Sequence, residues 1–211
     1  MKKVKLKDIA NIQMGLVLSR AGAKQLELIK QNVMEKISTN ETYQYKTVTL
    51  RSIDNQGNLI ETQCDDFISK DKLTDRYLTV KNDILIRLFS PLKTCLINDL
   101  QENIVVPSQF GIIRLDNGAH KYILPEYLQL IMQNKDFINQ VEKLEEGFQL
   151  RSIKTSSIGK VEICIPTLQK QRKVIEIAKL MKQKENLISK LLEQQKIQNG
   201  IIQEKLIKGE I

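Results

Sequence analysis

Two textures divide the chain. Up to about residue 166, short β-branched or apolar runs alternate with turn-forming residues. The runs are Val48–Leu50, Ile84–Leu88, Leu96–Ile97, Ile104–Val106, Phe110–Leu115 and Val161–Ile165. Beside them stand Asn55-Gln56-Gly57, Asn82-Asp83, Asn98-Asp99 and Asp116-Asn117-Gly118. Runs of this length bounded by such residues predict strands joined by turns. Asp116-Asn117-Gly118 is the clearest reversal, because Asn and Gly both tolerate positive φ. Helices are expected at Lys5–Ile12 and, more strongly, over Pro125–Leu144. There Pro125 suits a first helical position, with Tyr127, Leu128, Leu130 and Ile131 behind it. Phe137, Ile138, Val141 and Leu144 continue or restart that helix from Asp136. The fold class expected for 1–166 is α+β, with a mixed, largely antiparallel and irregular sheet.

From Thr167 the pattern changes to helical spacing without a break. No proline follows Pro166, and Gly200 alone interrupts before Gly209. Val174, Ile177, Ala178, Met181, Ile188, Leu191, Leu192, Ile202 and Leu206 fall on one stripe. A seven-residue register puts Val174, Met181, Ile188, Gln195 and Ile202 at one seam position. Ala178, Glu185, Leu192, Asn199 and Leu206 take the other. This is a coiled-coil pattern with polar interruptions, which cost stability and fix register. Thr167 is placed to cap the helix. At 1.5 Å per residue, forty residues extend roughly 60 Å, too far for the whole stripe to lie on one domain of ~150 residues. The region 167–211 is therefore expected to pair with another helix, through Val174, Ala178, Met181, Ile188, Leu192, Ile202 and Leu206.

Charge adds a direction. The net charge is +8, and ten Lys or Arg against five Asp or Glu lie after Pro166. Basic surface binds polyanions, yet a Lys-rich solvated helix has the same composition. Aromatics are 5% and Trp is absent, too few for a single-strand stacking platform. Cys64, Cys95 and Cys164 form no C-x-x-C pair and lie among apolar neighbours, as free thiols in a reducing compartment do. The N-terminal Met1–Gln13 has no apolar core like that of a secretory signal, and no apolar run nears ~18 residues. A cytoplasmic location away from membranes is expected.

Several chemistries fail on residue inventory. His120 is the one histidine, which rules out a His-rich metal site. No G-x-G pair exists, so the dinucleotide fingerprint and the phosphate loop are missing. Pro91, Pro107, Pro125 and Pro166 are never adjacent, so the Asn/Asp-Pro-Pro-aromatic motif of DNA amino-methyltransferases is absent. Acidic pairs occur at Asp65-Asp66 and Glu145-Glu146, but a metal-dependent nuclease needs carboxylates that converge on Mg²⁺, and the best such set, Asp83 with Glu102 and a Lys, has no distinctive spacing. No cofactor or metal is expected in the chain.

With those readings set aside, the order of segments resembles one half of a type I restriction-modification specificity (S) subunit: a target recognition domain followed by a helical spacer. The residues that carry this are Val4-Lys-Leu-Lys-Asp-Ile-Ala-Asn-Ile-Gln-Met-Gly15, Tyr77-Leu-Thr-Val-Lys-Asn-Asp-Ile-Leu-Ile86, Val106-Pro-Ser-Gln-Phe110 and Pro125-Glu-Tyr-Leu128. Strongest is the end: Gly147-Phe-Gln-Leu-Arg-Ser-Ile153, then Ile158 through Val161-Glu-Ile-Cys-Ile-Pro166, then Leu168-Gln-Lys-Gln171-Arg-Lys-Val174. The family's Pro-x-Pro and Glu-Gln are here Pro166-Thr167 and Lys170-Gln171. The length is about half that of a two-domain S subunit.

The resemblance implies a non-catalytic DNA reader that recognises one part of a split double-stranded site. It implies docking of methyltransferase (M) subunits, which would carry S-adenosylmethionine, and a homodimer through the C-terminal helix. It leaves open whether a restriction (R) subunit joins. Loops that mix Arg, Lys, Gln, Ser and Thr are the expected DNA contacts. Three segments qualify: Ser19, Arg20 and Lys24; Arg87, Ser90, Lys93 and Thr94; and Gln149, Arg151, Ser152, Lys154 and Thr155. Each could equally be a solvated loop residue. Two other functions compete: a protein-only adaptor or restriction inhibitor dimerising through the same helix, and a standalone nuclease.

Overall fold

A computed structural model describes residues 2–18, 42–69, 71–145 and 152–209. Its architecture is α+β, with antiparallel sheets and one long C-terminal helix. The strands are β1 (Lys2–Lys5), β2 (Ala10–Met14), β3 (Tyr43–Thr47), β4 (Asp65–Ser69), β5 (Ile84–Arg87), β6 (Thr94–Leu96), β7 (Phe110–Leu115) and β8 (Glu162–Ile165). The helices are α1 (Pro125–Met132), α2 (Lys135–Leu144), α3 (Thr155–Lys160) and α4 (Leu168–Lys208). The chain forms two compact units, Met1–Gln171 and Arg172–Ile211.

A four-stranded antiparallel sheet, β2-β7-β5-β6, centres the first unit; β1 pairs with β8 and β3 with β4. Ile84, Leu85 and Ile86 form a continuous apolar run because both faces of β5 are covered. Strand alternation sends Ile84 and Ile86 into one core with Leu6, Ile113, Leu128 and Phe137. Leu85 joins Cys95, Phe110 and Ile112 in a second core on the other face, with Val48, Ile53 and Leu59. Register matches this division: Ile84 lies opposite Leu96 and Ile113, and Leu85 opposite Cys95 and Ile112. Each such side chain, fully buried, contributes about 1.5–3 kcal/mol before the entropy of ordering it is subtracted.

The expected turns form with their own chemistry. The Asp54 Oδ1 accepts the Gln56 and Asn58 N–H groups, both at 2.8 Å, and Gly57 takes φ +75°. Asn82 adopts φ 70°, and Asn98 caps a short 3-10 helix, Asp99–Gln101, its own backbone N–H donating in return to Gln101 Oε1. At Asp116–Ala119 the chain does reverse, but Gly118 has φ −75°, so positive φ is not what closes this turn. The Ala119 N–H donates to Asp116 O at 2.8 Å, and the chain passes into a 3-10 turn carrying the exposed His120.

Four expectations are corrected or refined. The helix expected at Lys5–Ile12 is β1, a three-residue 3-10 turn and β2. Leu6, Ile9 and Ala10 have helical spacing, but the same stretch has a period-2 pattern at Ala10 and Ile12, and ladders with β8 and β7 decide it. Val48–Leu50 is no strand; the strand ends at Thr47, and Val48 turns inward, its N–H on Val105 O. Pro125–Leu144 is two helices, because Asn134 stops the first and caps the second by accepting the Asp136 N–H at 3.0 Å. Ile104–Val106 is extended but lies in no regular strand; Val105 bridges to Thr47 on one side and Leu78 on the other.

The first turn of α4 is held by one buried side chain. Thr167 O accepts the Gln171 N–H at 3.0 Å, as an N-cap carbonyl does. The Gln171 amide, fully buried, accepts the Leu124 N–H at 2.9 Å and donates to Tyr122 O at 2.8 Å and Pro166 O at 2.9 Å. It hydrogen-bonds three backbone groups that lie outside the strands. Gln171→Ala should therefore cost about 2–4 kcal/mol, the penalty for orphaning buried polar groups. Urea unfolding followed by tyrosine fluorescence measures this.

Candidate nucleic-acid interface

Backbone hydrogen bonds bring the chain at Gly15–Leu16, the turn after β5 and the chain at Ile153 to one edge of the first unit. After β2, the Gly15 N–H donates to Phe110 O at 2.9 Å and the Leu16 N–H to Val106 O at 2.7 Å. The Ser108 N–H returns to Leu16 O at 2.7 Å. A Cβ on residue 15 would overlap the Val106 and Pro107 carbonyl oxygens, so glycine is required for this close approach. Next, the Leu88 N–H donates to Gln109 O at 2.9 Å, and Leu88 O accepts the Ile153 N–H at 2.7 Å. Residues 15–16, 106–109, 88 and 153 thus make one continuous rim.

The candidate contacts distribute unevenly over it. Ser19, Arg20, Lys24, Gln149 and Arg151 lie outside the described residues. Ser152 and Lys154 are exposed and Thr155, half-buried, begins α3. The Lys154 backbone N–H is held by the buried Glu145, whose Oε1 accepts it at 3.0 Å. Arg87 ends β5, half-buried, its guanidinium 3.9 Å from the centroid of the Phe89 ring. Ser90 is exposed, and the Lys93 Nζ donates to Asn55 Oδ1 at 2.7 Å. Thr94 is a correction: paired with Ile86 on β6 and 2% exposed, it belongs to the interior. A strand residue one position past a solvated lysine alternates inward, which residue type alone did not reveal.

The rim also contains residues that sequence reasoning passed over. Ser108 is half-buried and Gln109 exposed, between buried Pro107 and Phe110. Polar residues that interrupt an apolar run just before a strand were the available signal. Val17 is 68% exposed where the chain leaves the rim.

Among the described residues the acidic groups weighed as nuclease ligands are engaged elsewhere. The Asp83 carboxylate, 1% exposed, accepts from Arg114 at 2.8 Å (Nε) and 2.7 Å (the second terminal nitrogen), and from the Val80 N–H at 2.9 Å. Arg114 also donates to Leu78 O at 3.1 Å. Its hydrogen bond to Asp83 raises the Arg114 pKa above the ordinary value against the opposing effect of burial. Glu102 accepts the Lys81 N–H instead of joining Asp83 at a metal. Among the described residues no three His, Cys, Asp or Glu side chains gather as a metal site. No helix among them is long and apolar enough to cross a membrane.

The second unit is helical, and α4 runs unbroken through Gly200. Of its expected seam residues, Val174, Met181, Ile188, Leu192, Ile202 and Leu206 are each more than 40% exposed. Leu180, Leu187 and Ile201 are exposed beside them, which makes the stripe wider than a two-position seam.

No family model matches the chain, and no curated protein matches it. Solved structures do. The HsdS subunit from Thermoanaerobacter tengcongensis superposes with a TM-score of 0.62 at 15% identity, over 90% of this chain and 44% of that one. A chain from a structure concerned with complex assembly and conformational transition of the type I R-M system gives 0.56 at 13% identity, over 89% and 39%. The type I restriction-modification S subunit from M. genitalium gives 0.52 at 15% identity, over 89% and 41%. The chain spans less than half the length of each, and the likeness is one of fold.

The Asp83–Arg114 pair is structural on this geometry. Asp83→Asn should lower stability by about 2–4 kcal/mol, less than for a fully buried pair because the Arg114 side chain is 34% exposed. Chemical denaturation measures the loss, and duplex DNA incubated with Mg²⁺ should stay intact with either form.

Proposed function

We propose that the chain is a sequence-reading specificity component of a type I restriction-modification complex and performs no chemistry itself. The observation that carries this reading is the extent of the fold likeness. It spans about nine-tenths of the chain, and the remaining tenth is shorter than α4, so it takes in both the α/β unit and part of the helix. The rim supports it further, since exposed Ser90, Gln109, Ser152 and Lys154 beside it are of the residue types that base and phosphate contacts use. Residues Ser19, Arg20, Lys24, Arg87, Ser90, Lys93, Gln149, Arg151, Ser152, Lys154 and Thr155 are the proposed contacts, with Gln109 added and Thr94 removed.

In this reading α4 pairs with a second copy, joining two identical readers on one two-part, palindromic and interrupted site. The apolar stripe of α4 supports pairing, because exposed bands of this extent mark protein contacts. Its width leaves room for methyltransferase subunits beside the second copy. S-adenosylmethionine then belongs to those subunits, and the complex methylates with or without an endonuclease.

Methylome sequencing of cells with and without the chain, beside its methyltransferase, tests the function. One bipartite methylated motif should vanish when the chain is removed; an unchanged methylome would refute the assignment and favour the adaptor reading. For the helix, Ile188→Asp with Leu192→Asp should convert a dimer to a monomer in analytical ultracentrifugation.

A further inference from the structure

Two arginines extend from the central sheet, and they are treated differently. Arg114 on β7 is matched by Asp83 through two hydrogen bonds. Arg87 on β5 has no carboxylate partner among the described residues, and its Nε is buried without a hydrogen bond. That nitrogen is turned into the protein, so the donors left for a ligand are the two terminal amino groups.

Arg87 is also rigidly held. Its backbone N–H donates to Lys93 O at 2.9 Å, and it lies opposite Phe110 on β7. Phe89 follows Leu88, whose peptide groups are bonded on both sides of the rim. The ring therefore supports the guanidinium from a fixed position, at 3.9 Å. Stacking occupies one face of the planar cation and sets its plane, leaving the edge with the two terminal amino groups for recognition. Phosphates are commonly reached by long, solvated chains such as exposed Lys154. A stiff, half-buried, edge-presenting arginine suits a planar acceptor pair instead.

The geometry points to Arg87 as a guanine reader, which takes the O6 and N7 acceptors of one guanine in the major groove while Phe89 holds its orientation. This rests on the DNA-reading function proposed above and narrows it to one residue and one base. Lys93, fixed by Asn55 where its carbonyl holds Arg87, adds positive charge at the same strand end.

The test uses the full complex with methyltransferase subunits and competition binding to three kinds of duplex. These are the motif found by methylome sequencing, every single-base-pair change of it, and unrelated sequence. Arg87→Ala should weaken motif binding roughly 10-fold to 100-fold and abolish discrimination at one G·C position, with unrelated duplex bound as before. Arg87→Lys keeps the charge and should not restore that discrimination. Phe89→Leu should give a smaller loss at the same position. Gel filtration and thermal melts of all three verify assembly, and Arg87→Lys is the conservative variant if Arg87→Ala fails to fold. Equal weakening on every duplex would make Arg87 a phosphate contact and overturn the inference. So would unimpaired discrimination in both Arg87 variants. If the wild-type complex itself fails to discriminate, the specificity reading falls and this inference with it. If it discriminates and the Arg87 variants do too, this inference alone falls.

Discussion

Leu88 makes two backbone hydrogen bonds in opposite directions, to Gln109 and from Ile153, while its side chain is 3% exposed in the larger core. Segments distant in sequence meet at that residue. The bonds are between main-chain groups, so they are indifferent to the side chains that project from the rim. Ser90, Gln109, Ser152 and Lys154 can therefore be exchanged without loosening the frame that presents them. A recognition surface needs this separation: a fixed backbone whose spacing matches the ligand, and variable donors upon it. Gly15 serves the same end, because its missing side chain is what lets the chain run against Val106 and Pro107.

The pattern of charge compensation separates residues that serve the fold from those proposed for recognition. Asp83 and Arg114 lie where the core closes, and their hydrogen bonds consume both groups. Gln171 does the same with neutral groups at the helix start. Arg87 differs, with its charge unmatched among the described residues and its plane fixed by an aromatic ring. Among the described residues, Thr94 Oγ1 and Arg87 Nε are buried side-chain atoms without a hydrogen bond, and of the two only Arg87 carries a charge.

Much of the fold was legible because two-sided burial leaves a strong mark. Ile84–Ile86 and Ile112–Ile113 are apolar on consecutive positions, as a strand covered on both faces is. The α1 and α2 region was visible from Pro125 and its spacing, but the break at Asn134 was read as optional because periodicity does not count caps. Lys5–Ile12 misled because its apolar positions satisfy periods of 3.6 and 2, and only the partner strands choose. The interface was legible in residue type and not in direction. Arg87, Ser90, Lys93 and Thr94 look alike as a polar cluster, yet the β5–β6 ladder turns Thr94 inward and leaves Ser90 outside. The rim itself was illegible, since hydrogen bonds from residue 16 to 108 and from 88 to 153 leave no local trace.

The long helix poses a stability question that bears on assembly. A helix gains little from propensity alone; most of its stability comes from burying an apolar face. Over residues 172–208 that face is exposed along nearly its whole length, with leucines and isoleucines in adjacent pairs at 187–188, 191–192 and 201–202. Its intrinsic formers, mostly Lys, Glu, Gln and Leu, favour the helix without resolving the exposed stripe. Excess lysine keeps such a segment in solution but adds self-repulsion along the same surface. Partner burial relieves the first problem, and a polyanion relieves the second. On the function proposed above, association with a second helix and with DNA act on one element, so that the ordering of α4 is coupled to assembly.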